Sequence, residues 1–450
     1  MLPSKTKPQR IAVIGGGIGG LSAAWMLGRD HDVTVFEGDE RIGGHAHTVE
    51  VAGRTGPVPV DTGFIVYNEP NYPNFTALLD HLGVPSLEAD MALSISLDGG
   101  AFEYSSAALF AQKRNLFRPR FWGMLRDVTR FFREGPTDLA RLEDPLTSLD
   151  DYLSARGYGD AFRDDHLLPQ AAAIWSTPMD EIRAYPAASL IRFFQNHGMM
   201  SIMGRGLWRT VAGGSRAYVR KLVDEMAADI RTGARVARIC RTNPGVEVHL
   251  ADGTCEIFDQ VIMATHADTS LSLLDAPTPL ERELLGAFRY SKNTVALHTD
   301  ISLMPRRRAA WTSWNHLGFR NQPEKGCVTY WMTRLQSLTD APDLFVTLNP
   351  THPVAPEHLL HTDHYDHPLY DGPAIAAQEQ LWSLQGVGGV WYCGSYFGHG
   401  FHEDALQSGL AAAEALGGLR RPWTVENESG RIHLKPQAVR RNEDRQVEPA

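Results

Sequence analysis

The sequence predicts an α/β fold in which a parallel sheet with flanking helices is interleaved with a second domain of the α+β class. Three observations predict it: a strand–glycine loop–helix–strand unit at the N-terminus, a helix and strands in the middle of the chain, and a strand, turn and alanine-rich helix near its end. Long segments of other patterning separate these blocks, so we expect one domain to be assembled from distant stretches. The 450 residues are also too many for one simple core.

The first block is RIAVIGGGIGGLSAAWML followed by DVTVFE, the pattern of a strand, a glycine turn, a helix and a second strand. Gly15, Gly17 and Gly20 have the G-x-G-x-x-G spacing. In that motif the first glycine permits a tight turn, the second lets the backbone approach a pyrophosphate, and the third allows close helix–strand packing. Glu37 ends the second strand, where a carboxylate accepts hydrogen bonds from ribose hydroxyls. The block therefore predicts a Rossmann-type dinucleotide site.

Directly after Glu37 the chain reads GDERIGGHAHT and then PVDTGFIVYN. These segments resemble the flavin-containing amine oxidase and phytoene desaturase superfamily, whose members carry R-x-G-G-R-x-x-[ST] and then D-x-G-G; the resemblance implies FAD as the cofactor. His45 replaces the second arginine, and a neutral imidazole there still donates one hydrogen bond. Phe64 replaces the last glycine and would lie close to flavin or substrate. The matching cofactor-binding positions are Arg41, Gly43, Gly44, Thr48, Asp61 and Gly63.

The second block, VAGGSRAYVRKLVDEM, DIRTGARVARI and VIMATHADTSLSLL, resembles the return of the chain into the FAD domain of that superfamily. Gly213 and Gly214 open its helix. The resemblance implies that the backbone at Val236 receives the adenine. A β-branched core residue would look the same, and both roles are compatible because a backbone contact does not use the side chain.

The third block, GGVWYCGSYFGHGFHEDALQSGLAAAEAL, resembles the C-terminal signature of the superfamily. Residues 390–393 form a predicted strand, and residues 403–416 a predicted helix. Uncapped amides at the start of that helix would stabilise negative charge on a reduced flavin. We therefore expect the flavin end of the cofactor to be held by Gly394, Glu403, Asp404 and Ala405.

His399 and His402 flank Phe401 beside the predicted flavin. Imidazole titrates near neutral pH, so both histidines are candidate proton donors or acceptors, with a structural hydrogen-bonding role as the alternative. The resemblance implies that Phe401 lies at the substrate face, and a buried aromatic at a plain helix start is the other reading. These three residues are the predicted catalytic group.

The three blocks assign residues 1–90, 205–270 and 388–420 to the FAD-binding domain. Residues 91–204 and 271–387 then form the substrate domain, which the resemblance implies to combine helices with an antiparallel sheet. The polar residues 421–450 are expected to wrap the surface or to be disordered.

Two aromatic segments of the substrate domain bear on the substrate. Residues 109–133 carry seven basic residues and one acidic residue among Phe, Leu, Trp and Met. That pattern is compatible with peripheral contact to an anionic membrane, or with ordinary helices whose arginines are exposed. Strand-like patterns in AAWTSWNH and VTYWMTRLQSL predict pocket walls, suited to an acyl chain or an amine, at Trp311, Trp314, Tyr330 and Trp331.

Composition restricts the remaining possibilities. The net charge of −10 argues against nucleic acid as a partner. Four cysteines without zinc-site spacing are too few for a disulfide framework, which favours a cytoplasmic protein, and no signal peptide or membrane span is expected. The histidines of HTDHYDHP, residues 361–368, are expected in a solvated turn, so no metal is predicted.

The leading hypothesis is an FAD-dependent oxidoreductase that acts on a hydrophobic, fatty-acyl or lipid substrate by hydride transfer to flavin N5, in desaturation or double-bond isomerisation. The segments GGHAHT, VDTGFIVYN, YWMTRLQ and YFGHGFHEDALQSG resemble bacterial FAD-dependent proteins associated with cyclopropane fatty-acid synthase-like enzymes. That resemblance implies a lipid methyltransferase partner. The basic, aromatic pattern of residues 109–133 is compatible with a peripheral location at the inner face of the membrane.

Two alternatives stay open. A flavin amine oxidase would produce an imine and hydrogen peroxide, but the sequence shows no counterpart of the lysine that many amine oxidases keep near flavin N5; Lys292 is the nearest by region. A non-catalytic FAD-binding partner of a lipid-modifying enzyme is the other alternative.

Overall fold

The computed structural model describes residues 7–434, apart from 143, 145, 176–178, 201–206 and 418. Within that part of the chain the strands are β1 Arg10–Ile14, β2 Asp32–Phe36, β3 Thr48–Ala52, β4 Pro57–Asp61, β5 Tyr67–Asn68, β6 Ser86–Ala89, β7 Leu93–Leu97, β8 Phe102–Ser105, β9 Trp208–Val211, β10 Asp229–Arg231, β11 Val236–Arg241, β12 Val246–Leu250, β13 Cys255–Phe258, β14 Gln260–Met263, β15 Arg289–His298, β16 Trp314–Phe319, β17 Gln322–Trp331, β18 Phe345–Leu348, β19 Leu359–Leu369 and β20 Val390–Tyr392. The helices are α1 Ile18–Leu27, α2 Pro73–His81, α3 Pro119–Leu139, α4 Leu149–Ala155, α5 Asp160–Phe162, α6 Leu168–Trp175, α7 Met179–Arg183, α8 Ala187–Asn196, α9 Arg216–Glu225, α10 Ala267–Leu273, α11 Pro279–Gly286, α12 Met332–Leu335, α13 Gly372–Gln378 and α14 His402–Gly417.

A parallel sheet of five strands, in the order β10-β2-β1-β14-β20, forms the centre of the dinucleotide domain. In β1 and β2 every residue after the first is buried, as expected for strands covered on both faces. The chain leaves β1 toward β2 and β10 on one side and returns to β14 and β20 on the other. Ligands bind at the carboxyl ends of the strands beside such a switch point.

Glycines bring the first and last helices onto each other and onto the sheet. A Cβ on Gly409 of α14 would lie 2.2 Å from the carbonyl oxygen of Gly19 in α1. One on Gly20 would lie 2.0 Å from the carbonyl oxygen of Gly15, at the end of β1. A Cβ on Gly19 would lie 3.1 Å from the Ala405 carbonyl oxygen, so the first turns of α1 and α14 meet at the carboxyl edge of the sheet.

A seven-stranded sheet in the order β19-β15-β18-β17-β16-β7-β8 forms the second domain. Its pairs are antiparallel except for β16 and β7. The helices α3 to α8 lie between residues 119 and 196 and contribute to the largest apolar core. This arrangement confirms the predicted fold class, while the exact domain boundaries stay predictions.

The expectation that residues 361–368 form a solvated turn was wrong. They belong to β19, an edge strand that pairs with β15 along nearly its whole length. An edge strand faces solvent on one side, so it tolerates the polar residues and the proline that made this segment look like a loop.

The described part of the predicted C-terminal extension packs on the dinucleotide domain. Arg421 is buried and pairs with Glu414 at 2.8 Å, and the ring of Trp423 stacks on Trp25 at 5.9 Å. Residues 435–450 of that predicted extension lie outside the described residues. None of the helices in the described ranges combines the length and the apolar character needed to cross a bilayer.

Candidate active site

A cavity of about 930 Å³ begins at the carboxyl edge of the parallel sheet and continues to the seven-stranded sheet. Its lining includes the loops that follow β1, β2, β14 and β20, and side chains from β15 to β19. The volume is at the upper end of the roughly 300–1,000 Å³ found for cofactor and small-molecule sites. One continuous space can therefore hold a dinucleotide and part of a substrate.

The loop after β1 presents its backbone to this cavity. Gly15 has a φ of 109°, which favours glycine, and its amide donates to the Phe36 carbonyl at 2.8 Å. A Cβ on Gly17 would meet no protein atom within 4 Å, so space is left against the backbone at the start of α1. The Glu37 carboxylate accepts from the amide of Gly16 at 2.7 Å and from that of Asp39 at 3.0 Å, and it lines the cavity.

These residues fit the diphosphate and the adenosine ribose of the predicted cofactor. Gly44 and Gly63 line the same cavity, and Val236 lies in it beside Arg235, where the adenine is predicted. Gly20 does not line the cavity, because it lies against the end of β1 as described above.

Three of the predicted cofactor residues lie behind the lining. Asp61 is fully buried, and its carboxylate accepts from the hydroxyls of Thr48 at 2.6 Å and Ser215 at 2.8 Å, and from the amide nitrogen of Gln336 at 2.8 Å. Burial raises the pKa of Asp61 to about 6, although these hydrogen bonds lower it. Arg41 donates to the Gly44 carbonyl at 2.7 Å. Arg41, Thr48 and Asp61 therefore shape the loops around the site.

Gly43 also lies behind the lining and fixes the position of the neighbouring loop. Its φ is 121°, and its amide donates to the carbonyl of Gly16 at 2.8 Å. The second glycine-rich turn is thereby attached to the first.

A group of histidines surrounds His45 in the middle of the cavity. The His45 ring lies 4.7 Å from that of Tyr365, 5.5 Å from that of His367 and 6.4 Å from that of His266. Burial lowers the pKa of His45 well below its ordinary value and that of His367 to about 4. His266 and His367 are not among the site residues predicted from the sequence. Two signals were available: His266 follows the end of β14, and residues 361, 363, 365 and 367 repeat with the strand period of two.

His361 shares one carboxylate with a histidine from another element. Asp363 approaches His47 Nδ1 at 2.8 Å and His361 Nε2 at 3.1 Å. The three potential ligand atoms lie within 4.8 Å of one another, a spacing that could hold a metal ion. The contacts of Asp363 with the two imidazoles account for this approach without an ion. The expectation that no metal is bound stays a prediction.

His402 is held by its neighbours at the start of α14. Its ring stacks on Phe64 with a centroid distance of 3.9 Å, and its Nε2 lies 2.7 Å from the Tyr218 hydroxyl. Burial lowers the pKa of His402 to about 3. The imidazole is therefore neutral, with one ring nitrogen already engaged.

The prediction of uncapped amides at Asp404 and Ala405 was wrong. The amides of Asp404 and Ala405 donate to the Phe401 carbonyl at 3.0 and 3.3 Å, because the helix begins at His402, one residue earlier than predicted. Asp404 in return accepts from the Phe401 amide at 2.7 Å and pairs with Arg431.

Only part of the predicted flavin-end group reaches the cavity. Gly394 and Ala405 line it, whereas Glu403 is buried behind them and accepts from the amides of Asn74 at 3.1 Å and Phe75 at 2.9 Å. Glu403 and Asp404 therefore anchor the helix start that positions the lining.

His399 and Phe401 both line the cavity. Phe401 stacks on Phe193 at 5.2 Å, with His197 beside it at 6.2 Å. His399 forms no hydrogen bond with any residue that the structure describes, and burial lowers its pKa. It is a neutral imidazole whose unprotonated ring nitrogen can take up a proton from a ligand.

The four predicted pocket aromatics are divided between two places. Trp314 and Tyr330 line the cavity, with their rings edge to face at 5.0 Å. Trp311 and Trp331 lie outside the lining, and both rings contact the Arg308 guanidinium, at 3.9 and 4.6 Å. Tyr330 and Trp331 are neighbours on β17, so their side chains point to opposite faces of the sheet.

One continuous apolar cluster forms the far side of the cavity, and we call it the apolar wall. The acidic residues among the described lining are limited to Glu37 and Asp39, at the ribose end, and Asp366, whose charge acts on His266. The apolar wall consists of Ile65, Val66, Met91, Val295, Trp314, Tyr330, Leu335 and Leu348.

Several known proteins resemble this chain in sequence or in fold. Residues 18–299 match the family model of flavin containing amine oxidoreductases. AofH of Mycobacterium tuberculosis, named for flavin-containing monoamine oxidase activity, is 27% identical over 324 residues, which are 69% of this chain and 67% of that protein. A crystal structure of a fatty acid isomerase from P. acnes has a TM-score of 0.64 at 18% identity and covers 92% of this chain and 99% of its own. Cyclohexylamine oxidase from Brevibacterium oxydans has a TM-score of 0.64 at 15% identity, over 91% of this chain and 99% of its own. At these identities the two structures show the fold.

Proposed function

The chain belongs to the flavin containing amine oxidoreductase family and uses FAD, and we propose that it is an oxidoreductase for a hydrophobic, fatty-acyl or lipid substrate. The reaction is the desaturation of an acyl chain or the movement of a double bond along it. The observation that carries the proposal is the apolar wall.

The apolar wall suits a hydrocarbon chain because it offers contact area without a charged partner. Its residues belong to one buried cluster, and none of the three acidic lining residues belongs to it. Burying a chain against such a wall contributes about 0.8 kcal/mol for each CH₂ group removed from water. An ammonium group placed there would lose its hydration without gaining a carboxylate.

FAD, when bound, supplies an acceptor for a hydride taken from a substrate C–H bond. Desaturation removes a second hydrogen from the neighbouring carbon, and it leaves as a proton. In this chain His399 is placed to receive that proton, because its ring is neutral, lines the cavity and has no hydrogen-bond partner among the described residues. Phe401, stacked on Phe193, orients the substrate beside it. In an isomerisation the hydride would return to a different carbon of the same chain, so that the double bond moves and no hydrogen is lost.

Support for this substrate class also comes from the fold. The P. acnes protein with the same architecture over 99% of its chain is a fatty acid isomerase. A fold of this kind therefore also serves an enzyme that acts on a fatty acid.

Amine oxidation is the second candidate, and the relatives favour it. AofH, which this chain covers for 67% of its length, is named for monoamine oxidase activity. Aromatic rings such as Trp314 and Tyr330 could receive an uncharged amine. The lining described offers no lysine, and its single arginine, Arg235, lies at the adenine end.

The test uses the FAD-loaded protein and two ligands that share one hydrocarbon chain. A cis-monounsaturated fatty acid and the primary amine of identical chain are mixed with it anaerobically, together with a phospholipid that carries the same acyl group. We expect the acid or the phospholipid to bleach the flavin absorbance, or to yield a product with a moved double bond by mass spectrometry and NMR.

Each contrary outcome has a clear meaning. Bleaching by the amine alone, with hydrogen peroxide formed in air, would replace the proposal by amine oxidation. A flavin-loaded protein that neither bleaches nor converts any of the three ligands would indicate a non-catalytic FAD-binding protein.

A further inference from the structure

An exposed aromatic patch lies on the turn that precedes α3, away from the residues that line the cavity. Phe117 is 87% exposed, the largest value among the exposed apolar side chains, and Trp122 is 48% exposed. Trp122 Nε1 donates to the Leu116 carbonyl at 3.0 Å, and its ring lies 5.9 Å from that of Phe110. We call the group the 109–122 patch; its exposed apolar members are Leu109, Phe110, Leu116, Phe117 and Trp122.

The turn that carries this patch is fixed to the domain beneath it. Residues Lys113–Phe117 form a 3₁₀ helix, and the buried side chain of Asn115 in its centre donates to the Glu103 carbonyl at 2.9 Å. Leu116 and Phe117 follow directly and point away from the core. Their exposure is therefore a property of a defined turn.

Three cations of the same segment have no carboxylate partner among the described residues. Lys113 and Arg114 are exposed, and neither they nor Arg118 form an ion pair with a described residue. The pKa of Arg118 is lowered by desolvation and then by the neighbouring positive charges of Arg114, Arg320 and Arg307. Arg320 and Arg307 are themselves paired with carboxylates, so the positive charge without such a partner beside the patch is that of Lys113, Arg114 and Arg118.

The basic residues further along α3 behave differently. Arg120 pairs with Asp165 at 2.7 Å, Arg126 with Asp127 at 3.4 Å and Arg133 with Glu134 at 2.8 Å. Within residues 109–133, the cations that lack a carboxylate partner are therefore those nearest in sequence to the exposed apolar side chains.

We infer that the 109–122 patch docks the protein on the surface of an anionic lipid bilayer. Aromatic rings favour the interface between headgroups and acyl chains, and cations beside them are attracted by anionic headgroups. The cores of protein–protein interfaces are depleted in lysine, whereas here the exposed Lys113 lies three residues before the exposed apolar pair Leu116 and Phe117. The inference is independent of the proposed reaction, since docking requires no turnover.

The experiment is vesicle co-sedimentation of the full-length, FAD-loaded chain. Vesicles of phosphatidylcholine alone are compared with vesicles that contain phosphatidylglycerol, at low and at high salt. We expect binding to the anionic vesicles, weakened by salt, and little binding to the neutral ones.

Two variants test the two components of the patch. Lys113→Gln with Arg114→Gln should lower the partition coefficient about thirtyfold, because each cation near an anionic surface contributes about fivefold. Phe117→Ser should lower it about tenfold, since a buried Phe side chain contributes at least that much. Both sites are exposed, so far-UV circular dichroism and flavin content should match the wild type.

Matched controls remove the same chemistry elsewhere. Arg220→Gln with Lys221→Gln removes two exposed cations from α9, and Ile257→Ser removes a 45% exposed apolar side chain from β13. Both should bind vesicles as the wild type does. Three outcomes would overturn the inference: no binding to anionic vesicles, equal binding to neutral ones, or patch variants that bind like these controls. The first of these would point to a protein partner instead.

Discussion

The dinucleotide end of the cavity is formed mainly by residues 14–45 and the loops after β14 and β20, whereas the apolar wall is assembled from side chains spread between residues 65 and 348. At the first end the chain presents backbone amides and one carboxylate at positions fixed by a strand, a turn and a helix. At the second end no short segment contributes more than two neighbouring wall residues. Cofactor binding at the first end can therefore be disrupted by one substitution in a loop. The shape of the apolar wall at the second end depends on how strands from distant segments pair.

The largest effect is expected at the first end, from Gly15→Val. A Cβ there would lie 2.8 Å from the Ala264 carbonyl oxygen, and the φ of 109° is unfavourable for valine. We expect purified protein without flavin, measured as flavin per chain, while circular dichroism remains close to that of the wild type. The control is Gly56→Ala, where a Cβ meets no atom within 4 Å. Full flavin content in Gly15→Val would contradict the placement of the phosphates.

The next effect belongs to the substrate end, from His399→Gln. Removing a general base costs about 10²-fold or more in the rate of flavin reduction by substrate. The pKa of His399 is lowered by burial, so the neutral imidazole persists through neutral pH and the wild-type rate should fall only below the ordinary value of 6.5. That acidic limb should disappear in the variant.

The matched control for this substitution is His364→Gln, an exposed histidine outside the cavity lining. It should leave both the rate and the pH profile unchanged. If His402→Gln, and not His399→Gln, removed the acidic limb, the assignment of the base to His399 would be wrong.

A smaller effect is expected from Glu37→Gln at the dinucleotide end. The variant weakens hydrogen bonds to a charged acceptor, so the Kd for FAD should rise about tenfold, as measured by fluorescence titration of the apoprotein. Glu40→Gln, which changes an exposed carboxylate three residues away, should bind FAD like the wild type. An unchanged Kd in Glu37→Gln would mean that the ribose is held elsewhere.

The last effect is a shift of only a few degrees in Tm, and it concerns Asp61, which lies behind the lining. Its pKa is raised by burial from 3.8 to about 6, so between these values the folded chain binds more protons than the unfolded chain. The contribution of Asp61 to stability therefore rises as the pH falls from about 7 to about 4, by an amount on the order of 3 kcal/mol. The Tm of the wild type minus that of Asp61→Asn should grow over this window by a few degrees in calorimetry.

Asp252→Asn is the control for that titration. Hydrogen bonds from Thr254 lower the pKa of Asp252 below 3.8, so the corresponding Tm difference should stay flat between about pH 7 and pH 4 and shrink only below it. A flat difference for Asp61→Asn as well would show that this carboxylate is not desolvated in the folded chain.

The sequence by itself determined the fold class, the cofactor and the loop that binds the phosphates. Gly15, Gly17 and Glu37 could be identified because their roles depend on local geometry: a backbone angle, an absent side chain and the end of a strand. Such roles are encoded over short spacings. A motif can therefore reveal them without knowledge of the remaining chain.

Only the tertiary structure decided which side chains face the substrate. Thr48 and Asp61 belong to the family motif, yet their contacts with Ser215 and Gln336 place them behind the cavity.

Trp311 and Trp331 look like pocket residues in the sequence, yet strand alternation and the preceding turn direct them to Arg308. His266 and His367 enter the site from segments about a hundred residues apart along the chain. The physical reason is that sheet register and long-range pairing, which no local pattern contains, fix the direction of each side chain.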